Sequence, residues 1–585
     1  MRPVVAMLLC IAFAGLVGAG LWQLGKDDPA PPPPPVVPTT GPTPEQQHAA
    51  ESAARQAELV LDEDDRIAST VFARKPTRTP RGPATTVLPA AARSYTLDSL
   101  IRLGAARRAG TTADGAPVVE IVRSVLVLPG AKLVIDTPGA TVRLASGPDG
   151  FVSLVSWAGA IAVTGAENAP LTLTSWDGAG PDGVVADGRA YVRIIGGDLS
   201  TAFVKASHLG FWSGRTGGVA VTGLGDRPAT ATLKATDVRD SHYGLYTSDT
   251  SSVTVADSTF TANQAGGVLL HRGSANVVLE RTTVNQNGGP GILAGRGSHT
   301  IALRQVTADA NAGDGIRFDG GPLASDPGPA GASIAGHRDF RIEGSTVRGN
   351  RDDGVQIVDA DDVVVTGNVV TGHGNGIVLT GAIVGARVED NQVSGAVTAG
   401  IAVRDGPSGV LVGRNRVAGG LLGIQVRAAR AEVRGNAVEG VTGHAVSLVG
   451  AVTGSTVVGN TLAGRGRSGL DTARMNPGAV VALDANDVTG WDIEIPLGER
   501  VADTVRDHPL LPLWVVVLLL PVLLLVVRLR RRRRAQPYAE VVAPPDPAVE
   551  TQLVPLAARR AAARVPGPPP GIRRPGPVPP RLPQR

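Results

Sequence analysis

The middle of the chain repeats a short pattern of apolar and polar positions. A Gly followed by an aliphatic residue recurs at steps of 22 to 24 residues, with one longer step of 39 that carries an extra loop. The eight pairs are Gly244-Leu245, Gly267-Val268, Gly291-Ile292, Gly315-Ile316, Gly354-Val355, Gly376-Ile377, Gly400-Ile401 and Gly423-Ile424. Each unit also holds a run of alternating β-branched residues, such as Val253-Thr-Val255. This alternation predicts two or three short strands in every unit.

Asparagines mark the corners between these predicted strands. Four of them stand four residues before the repeat Gly, and a later row stands eight or nine before it. The first row is Asn263, Asn287, Asn311 and Asn350, and the later row is Asn368, Asn391 and Asn415, continued by Asn436 and Asn460. Asn tolerates the left-handed backbone of a sharp corner. Stacked from unit to unit, these side chains can also bond each other's amides in a ladder.

A unit of this length with two or three strands indicates one rung of a right-handed parallel β-helix, because one rung cannot bury its own apolar face and must stack on others. Leucine-rich repeats need several Leu at fixed positions, and a four-stranded propeller blade needs about twice the length. The stretch from Tyr95 to Ala106 predicts a short amphipathic helix that caps the first rung. We therefore predict an all-β chain with a solenoid over residues 93–500.

The repeat resembles that of the right-handed β-helix proteins that include pectate-lyase-like enzymes and alginate (mannuronan) C5-epimerases. The likeness spans roughly Tyr95 to Ile495 and is closest in GGVLLHRGSANVVLERTTVNQNGGPGI, which begins at Gly266. It implies a polysaccharide partner, with epimerisation or β-elimination on a uronate as the activity. Alginate epimerases of this fold carry an Asp-Pro-His-Asp motif, of which Asp240-Ser241-His242-Tyr243 matches the Asp and the His.

Two hydrophobic segments lie outside the repeat. Residues 1–24 predict a secretory signal or an uncleaved signal anchor. Residues 509–527 are apolar and long enough to cross a bilayer core of about 30 Å. The Arg-rich run 528–534 follows at once, so the positive-inside rule places that end in the cytoplasm. We expect a single C-terminal transmembrane helix in the cell membrane, with the solenoid outside and the tail inside.

The remaining segments are expected to link or flank the solenoid. Residues 25–44 predict an extended Pro-rich linker, residues 45–68 a helical stalk, and residues 69–92 a second linker. Residues 528–585 predict a basic, Pro- and Arg-rich disordered cytoplasmic tail.

Composition argues against several classes of function. One Cys and three Met disfavour a thiolate cage or other soft-metal chemistry, and no P-loop or zinc-spaced His/Cys set is present. Aromatic residues are 3% of the chain, which predicts an aliphatic core. No continuous basic stripe that would suit nucleic acid is expected. No cofactor or metal site is predicted, apart from a local acidic group in which calcium is conceivable: Asp352, Asp353, Asp359, Asp361 and Asp362.

Aromatic and basic side chains concentrate in the early repeats, between Trp157 and His271. Aromatic faces stack on sugar rings, and Lys or Arg pair with uronate carboxylates. The predicted substrate-binding residues are Trp176, Lys205, His208, Trp212, Tyr243, His271 and Arg317. A differently built, bulkier core in the early coils is the alternative explanation for the same concentration.

The candidate catalytic residues are Asp240, His242 and Tyr246. Removal of the C5 proton of a uronate requires a base, a cation that neutralises the carboxylate, and an acid on the other side. The resemblance implies His242 as the base, Asp240 as its orienting partner and Tyr243 or Tyr246 as the proton donor. Three functions stay open: a polysaccharide epimerase or lyase, a non-catalytic cell-surface module that binds glycan or a partner protein, and a structural spacer.

Overall fold

The computed structural model describes residues 44–74, 83–321 and 336–494, together with isolated residues between 508 and 529. The chain divides into two units, residues 1–496 and 497–585. The predicted signal or anchor at 1–24, nearly all of the Pro-rich linker and most of the segment 509–527 lie outside the described residues, as does the tail beyond Leu529. Among the helices that are described, none combines the length and the apolar character needed to cross a membrane.

The first unit is a right-handed parallel β-solenoid, as predicted, and each of its turns contributes one strand to sheet A. The fifteen strands of sheet A follow the order of the chain, so that each pairs with the sheet A strands of the turns before and after it. They are β1 Thr85–Leu88, β4 Ser124–Val127, β7 Ser153–Trp157, β10 Tyr191–Ile195, β12 Gly218–Thr222, β14 Tyr243–Ser248, β17 Gly266–Leu270, β20 Ile292–Ala294, β23 Ile316–Asp319, β26 Val355–Val358, β29 Asn375–Thr380, β32 Ala399–Arg404, β35 Leu422–Arg427, β38 His444–Gly450 and β41 Ser468–Met475.

Two further ladders, sheets B and C, form the other sides of the solenoid. The long strands β11 (Asp198–Ser207) and β13 (Ala229–Arg239) belong to both ladders and join them. Sheet B consists of β5 Lys132–Ile135, β8 Ala160–Thr164, β11 Asp198–Ser207, β13 Ala229–Arg239, β15 Thr250–Ala256, β18 Ala275–Glu280, β21 His299–Arg304, β24 Arg338–Glu343, β27 Asp361–Thr366, β30 Arg387–Glu389, β33 Val410–Gly413, β36 Ala431–Arg434, β39 Thr456–Val458 and β42 Ala482–Asp484. Sheet C adds β2 Ala106–Thr111, β3 Pro117–Ile121, β6 Thr141–Ala145, β9 Leu171–Trp176, β16 Thr259–Thr261, β19 Thr283–Asn285, β22 Thr307–Asp309, β25 Thr346–Arg348, β28 Val369–Thr371, β31 Gln392–Ser394, β34 Arg416–Ala418, β37 Ala437–Val441, β40 Thr461–Gly466 and β43 Trp491–Ile493. All strand pairs between turns are parallel except the hairpin of β2 and β3.

The repeat Gly is required because the corner leaves no room for a side chain. A Cβ at Gly267 would lie 2.1 Å from Val284 Cγ1 and 2.9 Å from Asn287 Nδ2. The interior beside it is a continuous aliphatic core in which Phe260, Phe318 and Phe340 are the buried aromatic residues of the main cluster. The aliphatic core predicted from composition is therefore confirmed.

The Asn rows form two hydrogen-bonded ladders at two different corners, which explains their different distances from the repeat Gly. The first ladder runs from Asn263 to Asn350 between sheets C and A. The second runs from Asn368 to Asn486 between sheets B and C. In each rung the Nδ2 group donates to the Oδ1 of the next Asn and to a backbone carbonyl of the preceding turn; for Asn415 these distances are 3.0 and 2.7 Å.

Replacing Asn415 with Leu is expected to lower the free energy of unfolding by roughly 1–3 kcal/mol, because it removes the partners of buried polar groups. The backbone N–H of Asn391, 3.0 Å from the Asn415 Oδ1, would lose its acceptor. Asn391→Leu should have a similar effect, whereas Asn285→Leu, on the outer face of β19, should cost less than either. Melting curves unchanged by both ladder substitutions would contradict a stabilising role of the ladder.

The N-terminal end of the solenoid carries two helices. Helix α2, Leu97–Arg102, lies within the predicted cap, and its Leu97 and Leu100 are buried in the main core. Helix α1, Pro44–Ala73, covers the predicted stalk but continues into the segment expected to be linker, and β1 begins inside that same segment. The predicted stalk had no assigned partner, and the structure packs α1 onto the outer face of sheet A.

Helix α1 and sheet A enclose a second apolar cluster outside the solenoid. Val60 and Ile67 of α1 pack with Phe151, Tyr191 and Phe211 in this cluster. The Phe151 ring meets the Phe211 ring edge-on at 5.0 Å. Several aromatic residues of the early repeats are therefore buried between the helix and the sheet, which favours the bulkier-core explanation for them.

Beneath α1 lies a buried polar network centred on Arg66. Its guanidinium donates two hydrogen bonds of 2.7 Å to the Glu63 carboxylate and one each to the Thr85 and Ser153 hydroxyls. The Tyr191 hydroxyl donates at 2.6 Å to Glu63 Oε2, the oxygen that also accepts from Arg66 Nη2. Burial alone would lower the pKa of Arg66, but Glu63 outweighs it and holds that pKa above its usual value.

Candidate functional site

The loops that lead from sheet C back to sheet A are longest in the early turns. They comprise residues 177–190 and 208–217, and they are followed by the short connections 240–242 and 262–265. Because these loops stack on one another at the same corner, the side chains they carry collect beside strands β12 and β14. We call this place the early corner, defined by residues 177–190, 208–217 and 240–243.

Arg189 holds the early corner together from inside. The buried guanidinium donates to the backbone carbonyls of Asp182, Leu209, Gly210 and Asp240, so it joins all three loops. Burial lowers its pKa to about 10, against the opposing effect of Asp182 and Asp240. The side chain therefore stays charged at neutral pH, but its hydrogen-bonding capacity is turned toward the backbone rather than toward solvent.

Four rings follow one another across the early corner and the next strand. His242 meets Tyr243 at 4.8 Å between ring centroids, Tyr243 meets Tyr246 at 6.3 Å, and Tyr246 stacks on His271 at 5.7 Å. His242 Nε2 lies 2.9 Å from the backbone oxygen of Trp212. The structure thus brings together five of the predicted site residues.

Tyr246 points outward, as strand alternation predicts, but it is only 8% exposed. The short 3-10 helix Gly214–Thr216 covers it, since a Cβ at Gly214 would lie 1.9 Å from Tyr246 Cε2. Arg215 of that helix is tied to α1 by an ion pair of 2.8 Å with Asp64. The loop that covers Tyr246 is therefore fastened to the second layer over sheet A.

Trp212 is the exposed aromatic residue of the early corner, with 42% of its surface accessible. Its backbone is left-handed, with a φ of 51°, and its carbonyl is held by the His242 ring. The exposed indole is thus carried on a backbone that the half-buried His242 ring holds in place.

Protonation at the early corner follows from burial. Burial lowers the pKa of His242, although the Trp212 carbonyl and the Gln264 side chain act in the opposite direction. Burial also raises the pKa of Tyr243. Both side chains are therefore neutral near pH 7. Because a carbonyl can only accept, the proton of the His242 ring is on Nε2 and the lone pair is on Nδ1.

Within the described residues, Asp240 interacts electrostatically with His208 rather than with His242. Both Asp240 and His208 occupy left-handed corner positions, with φ of 53° and 57°. Burial lowers the pKa of His208, and Asp240 is the main influence that raises it. Within the described residues no hydrogen bond joins Asp240 to His242. The predicted role of Asp240 as the orienting partner of His242 thus has no hydrogen bond to support it.

Of the other predicted binding residues, Trp176 lies at the edge of the early corner, at the end of β9, and Lys205 and Arg317 lie away from it. The Trp176 ring is covered by the Arg143 guanidinium at 3.7 Å. Lys205 is exposed on sheet C, where it acts on the charge of Asp237. Arg317 is paired with Asp319 at 2.6 Å and with Asp314 at 3.4 Å. It lies three strands from Tyr246, or about 14 Å at the usual strand spacing.

The acidic group near Asp353 is used for turns and loop contacts. Asp353 accepts from the Asn375 backbone and side chain, Asp359 from Ala382 N–H and Asp361 from Val384 N–H. In the described ranges no three His, Cys, Asp or Glu side chains are arranged to hold a metal ion.

The pattern of the sequence did not single out Arg189, which joins the loops of the early corner, or Arg66, which ties α1 to sheet A. Each is an isolated Arg in a chain rich in Arg, and its role depends on which carbonyls or carboxylates the fold brings around it. That Arg189 is buried can be recognised only once the structure shows how the loops around it pack.

Comparison with known proteins identifies the repeat. The family model described as the right handed beta helix region matches residues 160–326 and 323–462. No curated protein sequence is significantly similar to the chain.

Several solved structures have a similar fold. A periplasmic alginate epimerase is 15% identical over 71% of this chain and 86% of its own, with a TM-score of 0.48. The A-module of a mannuronan C-5 epimerase from Azotobacter vinelandii is 14% identical over 62% of this chain and 88% of its own, with a TM-score of 0.35. A thermostable alpha-1,3-glucanase from Streptomyces thermodiastaticus is 12% identical over 71% of each chain, with a TM-score of 0.26.

Proposed function

The chain belongs to the right-handed β-helix family, and from this fold we propose that it is a membrane-anchored extracytoplasmic module that binds a cell-surface polysaccharide at the early corner. The exposed indole of Trp212 carries the proposal. Its rigid backbone and its neutral His and Tyr neighbours provide a flat apolar face with hydrogen-bonding groups beside it, which is the combination that sugar rings require.

Binding without turnover fits the chemistry of the corner better than catalysis. A uronate epimerase or lyase needs a cation at the substrate carboxylate, but Arg189 is buried against four carbonyls. Arg239 is exposed, but it lies 3.7 Å from Asp237, whose negative charge offsets its own. Tyr246, the candidate proton donor, is covered by the 3-10 helix.

An epimerase or lyase is the second candidate, and one observation favours it. His242 is neutral, and the nitrogen that the Trp212 carbonyl holds is Nε2. The lone pair on Nδ1 therefore remains as a basic site. Tyr243, in edge contact with that ring, is a neutral phenol that can donate a proton.

The two candidates are separated by one experiment on the full-length chain in detergent. Calorimetric binding is measured with polymannuronate, polygalacturonate and a neutral glucan, and the same mixtures are then examined by NMR for C5 inversion or unsaturated ends. We expect binding of at least one polymer with no change in its spectrum. Turnover would select the second candidate, and absence of both binding and turnover would contradict the proposal.

The proposed topology rests on the apolar run 509–527 and the Arg-rich run after it. Protease added to intact spheroplasts is expected to degrade the solenoid and to spare a tag placed after Arg585, because the tail would be inside the cell. Lysed spheroplasts provide the control in which both are degraded. Protection of the solenoid in intact cells would contradict this topology.

A further inference from the structure

A second group of chemically active side chains lies on sheet A in the last turns, at the opposite end from the early corner. His444 and Ser468 are direct partners on β38 and β41, and Ser447 and Asp471 are the next such pair. His444 Nδ1 lies 2.8 Å from Ser468 Oγ, and Nε2 lies 3.8 Å from Asp471 Oδ2. One imidazole thus stands between a serine hydroxyl and a carboxylate.

The Asp471 carboxylate is fixed in place. It is nearly fully buried, and it accepts from Ser447 Oγ at 3.1 Å, Arg474 Nε at 2.8 Å and the backbone N–H of Ala473 at 3.2 Å. Arg474 also forms an ion pair with it, with 2.6 Å between Arg474 Nη2 and Asp471 Oδ2. A fixed anion on the Nε2 side of His444 favours the ring form with the proton on Nε2.

The His444 ring is therefore set up to accept a proton from Ser468. Burial lowers the pKa of His444; Asp471 raises it, and Arg474 and Arg467 lower it further. A hydrogen bond with the Ser468 backbone acts in the raising direction, but the ring is neutral near pH 7. In the form with the proton on Nε2, the Nδ1 lone pair faces the Ser468 hydroxyl at 2.8 Å. This is the arrangement of groups that activates a serine nucleophile. In the common arrangement the serine bonds Nε2 and the carboxylate faces Nδ1, whereas here the serine faces Nδ1 and the carboxylate faces Nε2.

We propose that Ser468 is the nucleophile of a serine esterase site, with His444 as general base and Asp471 as the positioning residue. The Ser468 Oγ–H proton passes to His444 Nδ1 as Oγ bonds to the ester carbonyl carbon. The alkoxide then leaves as its C–O bond breaks, and takes that proton from His444. Water repeats both steps on the acyl-serine and releases the carboxylic acid.

The surroundings of Ser468 indicate the substrate class. Ser468 lines a cavity of about 500 Å³ at the end of the solenoid, and the cavity's other walls include Leu470, Leu483, Val488 and Trp491. These apolar walls fit the acyl group of a carboxylic ester. Arg474 and Arg467 lie within electrostatic range of His444. This site is separate from the early corner and does not depend on the proposed glycan binding.

A fluorophosphonate probe, which bonds to activated serines, tests the site in the full-length chain. We expect the label on Ser468, identified by peptide mass spectrometry, and none in Ser468→Ala. His444→Gln should slow labelling about 100-fold, the usual contribution of a general base. Ser394→Ala, on the outer face of sheet C, is the control and should label as the unaltered chain does.

The same variants are then assayed with p-nitrophenyl acetate and p-nitrophenyl octanoate, whose relative rates show whether the cavity accepts a short or a long acyl group. The pH profile of labelling should fall at the acidic side as His444 is protonated, and His444→Gln should lose that limb. The proposal is overturned if Ser468 stays unlabelled in chain that melts as a folded protein. It is equally overturned if His444→Gln labels at the unaltered rate.

Discussion

Replacing Arg66 with Met is expected to lower the free energy of unfolding by about 3–5 kcal/mol, the usual cost of removing one partner of a buried ion pair. The substitution preserves most of the side-chain volume, but it leaves the Glu63 carboxylate buried with Tyr191 as its remaining hydrogen-bond donor in this network. Thr85 and Ser153 also lose the charged donor that ties α1 to the sheet. Urea denaturation of the full-length chain measures the loss.

Two variants show whether that loss comes from the unpaired charge. Arg55 is exposed on the same helix, and Arg55→Met should change stability by less than about 0.5 kcal/mol. Adding Glu63→Leu to Arg66→Met should recover part of the loss, because no uncompensated carboxylate then remains. Hydrogen exchange across α1 should rise in the single variant. Equal stability of Arg66→Met and the unaltered chain would contradict the role given to the network.

Acidification from pH 7 to pH 4 is expected to cost roughly 3 kcal/mol of stability through His337 alone. This imidazole is buried against Phe340 at 4.5 Å, and in the described residues neither ring nitrogen makes a well-formed hydrogen bond, although the Ser298 backbone slightly favours the charged form. Burial lowers its pKa to about 4, against the effects of Asp319 and Asp359. In the unfolded chain His337 therefore binds a proton near pH 6.5, whereas in the folded chain it binds one only near pH 4.

The sign follows from this difference. Stability from His337 is complete above about pH 6.5, declines as the pH falls toward 4, and is fully lost below that. Other buried His residues act in the same direction, so the comparison that isolates His337 is with His337→Leu. The stability difference between the two chains should shift in favour of the variant by roughly 3 kcal/mol on acidification. Parallel curves for the two chains would contradict the assignment.

The sequence predicts the solenoid well because its determinants are local and repeated. Gly267 must be Gly since the corner has no space for a Cβ, and each Asn bonds its equivalent one turn away. What the sequence did not show is that the two Asn rows belong to different corners. Their distances from the repeat Gly differ, but only the stacking of turns shows which sheets each corner joins.

The site was harder to predict because it depends on what covers the sheet. Strand alternation correctly predicts that Tyr246 points outward. Its side chain is nevertheless buried, because a 3-10 helix from the preceding turn covers it. Phe211 and Tyr191 looked like candidates for ligand stacking and are instead buried under α1. A helix that begins some 150 residues earlier in the chain leaves no mark in the local pattern of the strands it covers.

Trp212 was predicted from the concentration of aromatic residues in the early repeats and His242 from the resemblance to the epimerase motif, and the structure places them in contact. The partner assigned to His242 was less predictable. Asp240 is two positions away in sequence, but a left-handed corner intervenes, and the backbone of Trp212 from the preceding turn takes the place expected for a carboxylate.

Glycan binding at the early corner is tested most directly by one calorimetric comparison. The full-length chain, Trp212→Ala and the double variant Arg404→Ala/Arg427→Ala are titrated with the polysaccharide that the unaltered chain binds. Removal of a stacking aromatic should weaken binding about 5- to 150-fold, or by about 1–3 kcal/mol. The melting temperature should change little, because 42% of the Trp212 surface is exposed. The late double variant should bind as the unaltered chain does. Loss of binding in the late variant with retention in Trp212→Ala would contradict the account and place the site on the C-terminal turns.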